Sequence, residues 1–152
     1  TIDLKMTSCA FFFSGTDFDS DGVSDLQSSA IYVNFKREIG EGNLDDVRIG
    51  VNAIDSSSIY KGYTLEPEFL DNKLGKINDD YSNLVEFVSD EAVNLGGIPL
   101  NEVVLDANVV AVVGDSLCAE KNEPIECKCF GPKPTGGVAD GTKTCRQEFN
   151  LP

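Results

Sequence analysis

The chain has 152 residues, of which 41% are apolar, 25% charged and 9% aromatic, a composition that belongs to a folded globular domain and excludes a disordered chain. Twelve basic residues against 26 acidic ones leave a formal charge of −14, which repels phosphate backbones and anionic lipid headgroups and sets nucleic acid and membrane insertion aside. There is no histidine, so Ser-His-Asp and Cys-His nucleophiles and two-histidine zinc sites are excluded; the expectation is a protein that is not an enzyme.

Ile2, Leu4 and Met6 alternate with Asp3, Lys5 and Thr7, a period of two that predicts a half-buried strand continuing through Cys9 into the apolar run from Ala10 to Phe13. Such a strand either pairs within its own sheet or is lent to a neighbouring subunit, where Ile2, Leu4 and Met6 would fill three successive pockets. Met6 is the only methionine and Thr1 stands first, which fits a mature chain from which a signal peptide has been removed.

The segment Asp17-Phe18-Asp19-Ser20-Asp21-Gly22-Val23-Ser24-Asp25 places carboxylates at loop positions 1, 3, 5 and 9 with glycine at 6. A hard cation takes several oxygens at about 2.3–2.6 Å, and alternate carboxylates on a sharply turned loop converge on one point, so the spacing predicts a calcium site over 17–28. Val23 would supply its backbone carbonyl, and Ser28 stands at position 12, where it, a water or a distant carboxylate would complete the shell. The competing reading is a solvated acidic turn.

Further along, Ile31, Val33 and Phe35, and then Val47, Ile49, Val51 and Ala53, give two more alternating strands, with a turn at Gly40, Gly42 and Asn43 suggesting that they form a hairpin or lie as near neighbours. A fourth strand is expected over Ile59–Leu65, with Gly62 at a bulge. At residue 79 the period changes. Tyr81, Leu84, Val85, Val88, Ala92 and Leu95 fall on one helical stripe, capped by Asp79 or Asp80 and stopped by Gly96 and Gly97, which predicts a helix over 79–95; Pro67 to Ile77 suggests a second, short one. From Val103 to Val113 the period returns to two, with Val104, Val110 and Val112 on the second face, so both faces are expected to be covered at the strand's ends.

Cys118, Cys127, Cys129 and Cys145 lie in a tail rich in proline and glycine and poor in apolar residues. Their gaps of eight, one and fifteen residues do not suit the paired spacing of structural zinc, so disulfides in an oxidising compartment are the better reading. Four cysteines allow three pairings, and the preference here is Cys118 with Cys129 and Cys127 with Cys145. Cys9 is left either as a buried thiol or as a partner of the tail or of another chain.

These elements predict a mainly β fold, an antiparallel β-sandwich of jelly-roll or immunoglobulin-like type, with one helical insertion and a disulfide-stapled C-terminal loop over 118–145, in a single domain spanning 1–152. The Asp17–Asp25 segment resembles the Asp-rich calcium loops of EF-hands, dockerins and especially thrombospondin type 3 repeats, from which it departs at Ser28, where those families place Glu or Asp. The opening Thr1 to Lys5 resembles the first strand of camelysin and TasA-type fibre proteins, and Ala30 to Val33 with Leu44 and Asp45 resembles a hairpin of archaeal filament subunits. The fibre resemblance implies a sandwich subunit that polymerises outside the cell by strand donation.

The function expected on these grounds is a secreted calcium-binding structural subunit of an extracellular filament, sheath or surface layer that associates with its own kind. The alternative is a calcium-stabilised adhesin or carbohydrate-binding module, with Tyr32, Tyr60 and Tyr63 on a ligand face. A hydrolase with paired carboxylates would draw on Glu66, Glu68, Glu86 and Glu102.

Overall fold

The computed structural model describes residues 2–39, 42–66, 82–88, 102–118 and 124–152. Along these run β1 (Asp3–Phe12), β2 (Ala30–Ile39), β3 (Asp46–Ile54), β4 (Tyr60–Leu65), β5 (Ser82–Val88), β6 (Val103–Val113), β7 (Ser116–Leu117), β8 (Ile125–Glu126), β9 (Lys128–Pro132), β10 (Val138–Thr144) and the short helix α1 (Cys145–Glu148). One sheet has the order β10-β9-β1-β2-β5; the other has the order β4-β3-β6-β7, with β8 also paired to β6. Their facing sides make a sandwich whose interior holds Phe11, Val33 and Phe35 from the first sheet and Val47, Ile49, Leu65 and Leu105 from the second.

The alternation read from the sequence is the alternation the core uses, with one phase change. Ile2, Leu4 and Met6 are buried, and so are Cys9, Phe11 and Phe13. Met6 pairs with Phe35 and Ser8 with Asn34, so Thr7 is an extra residue in β1. Such a bulge moves the inward set from even to odd positions. Another irregularity lies in β6, where Asn52 pairs with Asp106 but Ala53 with Val104; around it Val104 and Leu105 are both fully buried, and Val112 is buried near the far end.

Several expectations are corrected. The helix over 79–95 is not formed across its centre: Ser82–Val88 is a strand, paired antiparallel with β2 from Ala30↔Val88 to Lys36↔Ser82. Leu84, Val85 and Val88 fit a helical stripe and a strand equally well, and seven successive pairings with β2 decide for the strand. Residues 79–81 and 89–95 lie outside the described residues, as does the short helix suggested over 67–77. The turn at 40–43 does not close a hairpin, because β2 and β3 belong to different sheets. The sandwich is also not wholly antiparallel: β9 runs parallel to β1 through Ala10↔Lys128, Phe11↔Cys129 and Phe12↔Phe130.

That parallel pairing explains the disulfides. Cys9 is bonded to Cys127 and Cys129 to Cys145, while Cys118 is a free, half-buried thiol. The preferred pairing of Cys118 with Cys129 and Cys127 with Cys145 is therefore wrong, and Cys9 bonds to the tail. With Ala10 beside Lys128, the residues one step earlier, Cys9 and Cys127, are brought side by side. Cys129 faces the same way as Cys127 and meets the first residue of α1.

The α1 turn is short but well specified. The Gln147 amide donates to Thr144 Oγ1 at 3.1 Å and the Thr144 amide to Gln147 Oε1 at 3.0 Å, a reciprocal capping box.

The N-terminal strand pairs within its own chain, with β2 along its length and with β9 at Ala10–Phe12. Ile2, Leu4 and Met6 fill the interior of their own sandwich.

Candidate metal centre

The Asp-rich loop connects β1 to β2, neighbouring strands inside the first sheet. Its neck is closed by backbone bonds from Gly15 N to Leu26 O at 2.9 Å and from Asp25 N to Thr16 O at 2.9 Å. Ser14 Oγ donates to Gln27 O and Ser24 Oγ to Gly15 O. Thr16, Ser28 and Ser29 are buried at its foot. Above the neck the chain makes two left-handed steps, at Ser20 (φ 59°) and Gly22 (φ 86°), the second of which explains a glycine at position 6.

These steps fold the aspartates inward. Asp17, Asp19 and Asp21 each offer a carboxylate oxygen, and the three oxygens lie within 4.8 Å of one another. Asp17 Oδ2 accepts the Gly22 amide at 2.8 Å, Asp19 Oδ1 the Asp21 amide at 3.3 Å and Asp21 Oδ1 the Val23 amide at 2.8 Å. Asp17 Oδ1 is buried with no hydrogen-bond partner. Desolvation pushes the Asp17 carboxyl up, but the Gly22 amide, Asp19 and the amides of Asp21 and Ser20 outweigh it and hold the group below its usual value. Asp19 is raised instead, first by its hydrogen bond to Asp17, then by desolvation and by the charge of Asp25. The loop thus concentrates negative charge that a cation would neutralise, and its all-oxygen donors suit a hard one.

Asp25 is not one of the trio. Asp25 Oδ2 accepts the Phe18 amide at 2.7 Å and so braces the loop from its far side. Val23 is exposed at the tip, and Ser28 is buried beneath.

Beside the loop lies an aromatic cluster that the sequence alone does not single out. Phe12 stacks on Phe130 with ring centres 4.6 Å apart, meets Tyr32 edge-on at 4.9 Å and touches Phe18 at 5.0 Å. A groove of about 510 Å³ runs past Phe12, Asp17, Phe18, Phe130 and Val138. The signal was the Phe11–Phe13 run itself: when alternate residues are buried, the middle ring must face outward.

The tyrosines do not share a ligand face. Tyr32 belongs to the aromatic cluster on the first sheet, Tyr60 is exposed on β4, and Tyr63 donates its hydroxyl to Glu102. Glu66 sits 3.5 Å from Arg48, while Glu102, only 2% exposed, takes Lys61 Nζ at 3.1 Å. Glu68 and the Glu86 side chain lie outside the described residues. A further polar cluster joins Arg146 to Glu126 and Asp106, and among the described residues no helix is long and apolar enough to cross a membrane. Compared with family models, with curated proteins and with solved structures, the chain matches none of them.

Proposed function

We propose that this chain is a calcium-binding structural subunit of an extracellular filament, sheath or surface layer. The observation that carries the reading is the convergence of the Asp17, Asp19 and Asp21 oxygens within 4.8 Å on a loop closed at its neck. Calcium bound there would tie together the ends of β1 and β2, two neighbouring strands of one sheet. The two disulfides support an oxidising, non-cytoplasmic compartment. Self-association follows from the calcium: on a chain of charge −14, a bound cation removes repulsion where copies would meet.

The test is a thermal melt with calcium and with chelator, followed by electron microscopy of the calcium-loaded protein. A ligand held only by the native state at a hundredfold excess over its Kd adds about 2.7 kcal/mol, which for a domain of this size is a rise of about 5–10 °C in Tm. Asp19→Ala and Asp21→Ala should each abolish that rise, and filaments or sheets should form only with calcium. A melt indifferent to both calcium and chelator refutes the metal site. Discrete particles in calcium refute the assembly role and favour the second reading, an adhesin or carbohydrate-binding module, which the groove lined by Phe12, Phe18 and Phe130 beside Asp17 supports.

A further inference from the structure

Lys61, Asp55 and Glu102 meet at the turn of the β3–β4 hairpin with more organisation than an ion pair requires. Lys61 Nζ stands 3.4 Å from Asp55 Oδ2 and 3.1 Å from Glu102 Oε1. The other oxygen of Asp55, Oδ1, accepts the amides of Ser57 at 2.9 Å and Ile59 at 3.0 Å. Two fixed donors on one carboxyl oxygen polarise the carbon and stabilise charge that gathers on that oxygen during addition. Glu102 is buried, and its second oxygen is occupied by the Tyr63 hydroxyl, which turns Oε1 toward the amine, within reach for proton transfer. A nucleophile, a polarised carboxyl and a proton carrier are thus held together across the hairpin of β3 and β4, where proximity replaces a bimolecular encounter.

We propose that this site forms an intramolecular amide between Lys61 Nζ and Asp55 Cγ, a covalent staple across the β3–β4 hairpin. The reaction starts from the ammonium and the carboxylate. Glu102 relays one proton from Nζ to Oδ2, leaving a neutral amine and a carboxylic acid. The amine lone pair attacks Cγ, the nitrogen–carbon bond forms, and the carbonyl electron pair moves to Oδ1, where the Ser57 and Ile59 amides hold it. A second proton passes from Nζ through Glu102 to Oδ2, the carbon–Oδ2 bond breaks, and one water leaves. Charge balances, and no oxidant or co-reactant is needed.

Intact mass spectrometry of the reduced full chain tests this directly. The expected result is a mass lighter than the sequence by one water, with a branched peptide joining Asp55 to Lys61 after digestion. Glu102→Gln and Lys61→Arg should each restore the full mass; Lys61 is 45% exposed, so the arginine variant disturbs no buried position and decides the matter even where the Glu102 variant fails to fold. A wild-type chain of full mass overturns the proposal. So does a loss of water that persists in Lys61→Arg, which would mark an imide formed at Asp55 and Ser56 instead.

Discussion

Tyr63 carries a measurable consequence of its partnership with Glu102. Burial first, and then the hydrogen bond and charge of Glu102, push the phenol from its ordinary 10.0 up to about 12. An unfolded tyrosine ionises near 10 while the folded one stays neutral, so its contribution is intact below about pH 10 and is lost as the pH rises toward 12. Tyr63→Phe leaves one Glu102 oxygen without its donor and should cost about 1–3 kcal/mol at neutral pH. The same variant should flatten the alkaline decline, which urea melts at stepped pH would reveal as a narrowing gap from the wild type. Of its neighbours, Lys61 is likewise held protonated above its usual value, chiefly by Glu102, whereas Asp55 is held below its own chiefly by the Ile59 amide.

Among the elements, β1 has the most to lose. It is an interior strand of its sheet, and Ile2, Leu4 and Met6 are each no more than 5% exposed. Removing residues 1–7 would forfeit about 1.5–3 kcal/mol for each of those side chains, roughly 5–9 kcal/mol in all, against a typical domain stability of about 5–15 kcal/mol. The truncated chain should therefore fail to fold by circular dichroism, and a folded, soluble truncation would show the strand to be dispensable. The strands β1, β2, β3 and β6 were legible because each buries a face, so apolar residues recur at every second position. Ser82–Val88 was not, because its apolar residues satisfy two periods at once and only the pairing with β2 distinguishes them. The α1 turn had a readable signature in Thr144 and Gln147 that the cystine-rich surroundings obscured. The aspartate trio was legible from spacing alone, since its geometry is local. The Asp55, Lys61, Glu102 and Tyr63 cluster was not, because Glu102 comes from a distant part of the chain.

At the scale of the molecule, sheet order determines which cysteines meet. Peptide mapping without reduction should recover Cys9 with Cys127 and Cys129 with Cys145, and a single alkylated thiol at Cys118. Losing the first bridge, by Cys9→Ala together with Cys127→Ala, should destabilise the domain by about 2–5 kcal/mol. The bridge between residues 9 and 127 has a mechanical side as well. A pull applied at the two ends of the chain passes from β1 straight into the tail through Cys9 and Cys127, and the Cys129–Cys145 bond then shunts most of the remaining tail. The strands enclosed between residues 10 and 126 lie off that covalent path and cannot be drawn out while the bond lasts, so under load the domain behaves as a short inextensible link whose interior is spared.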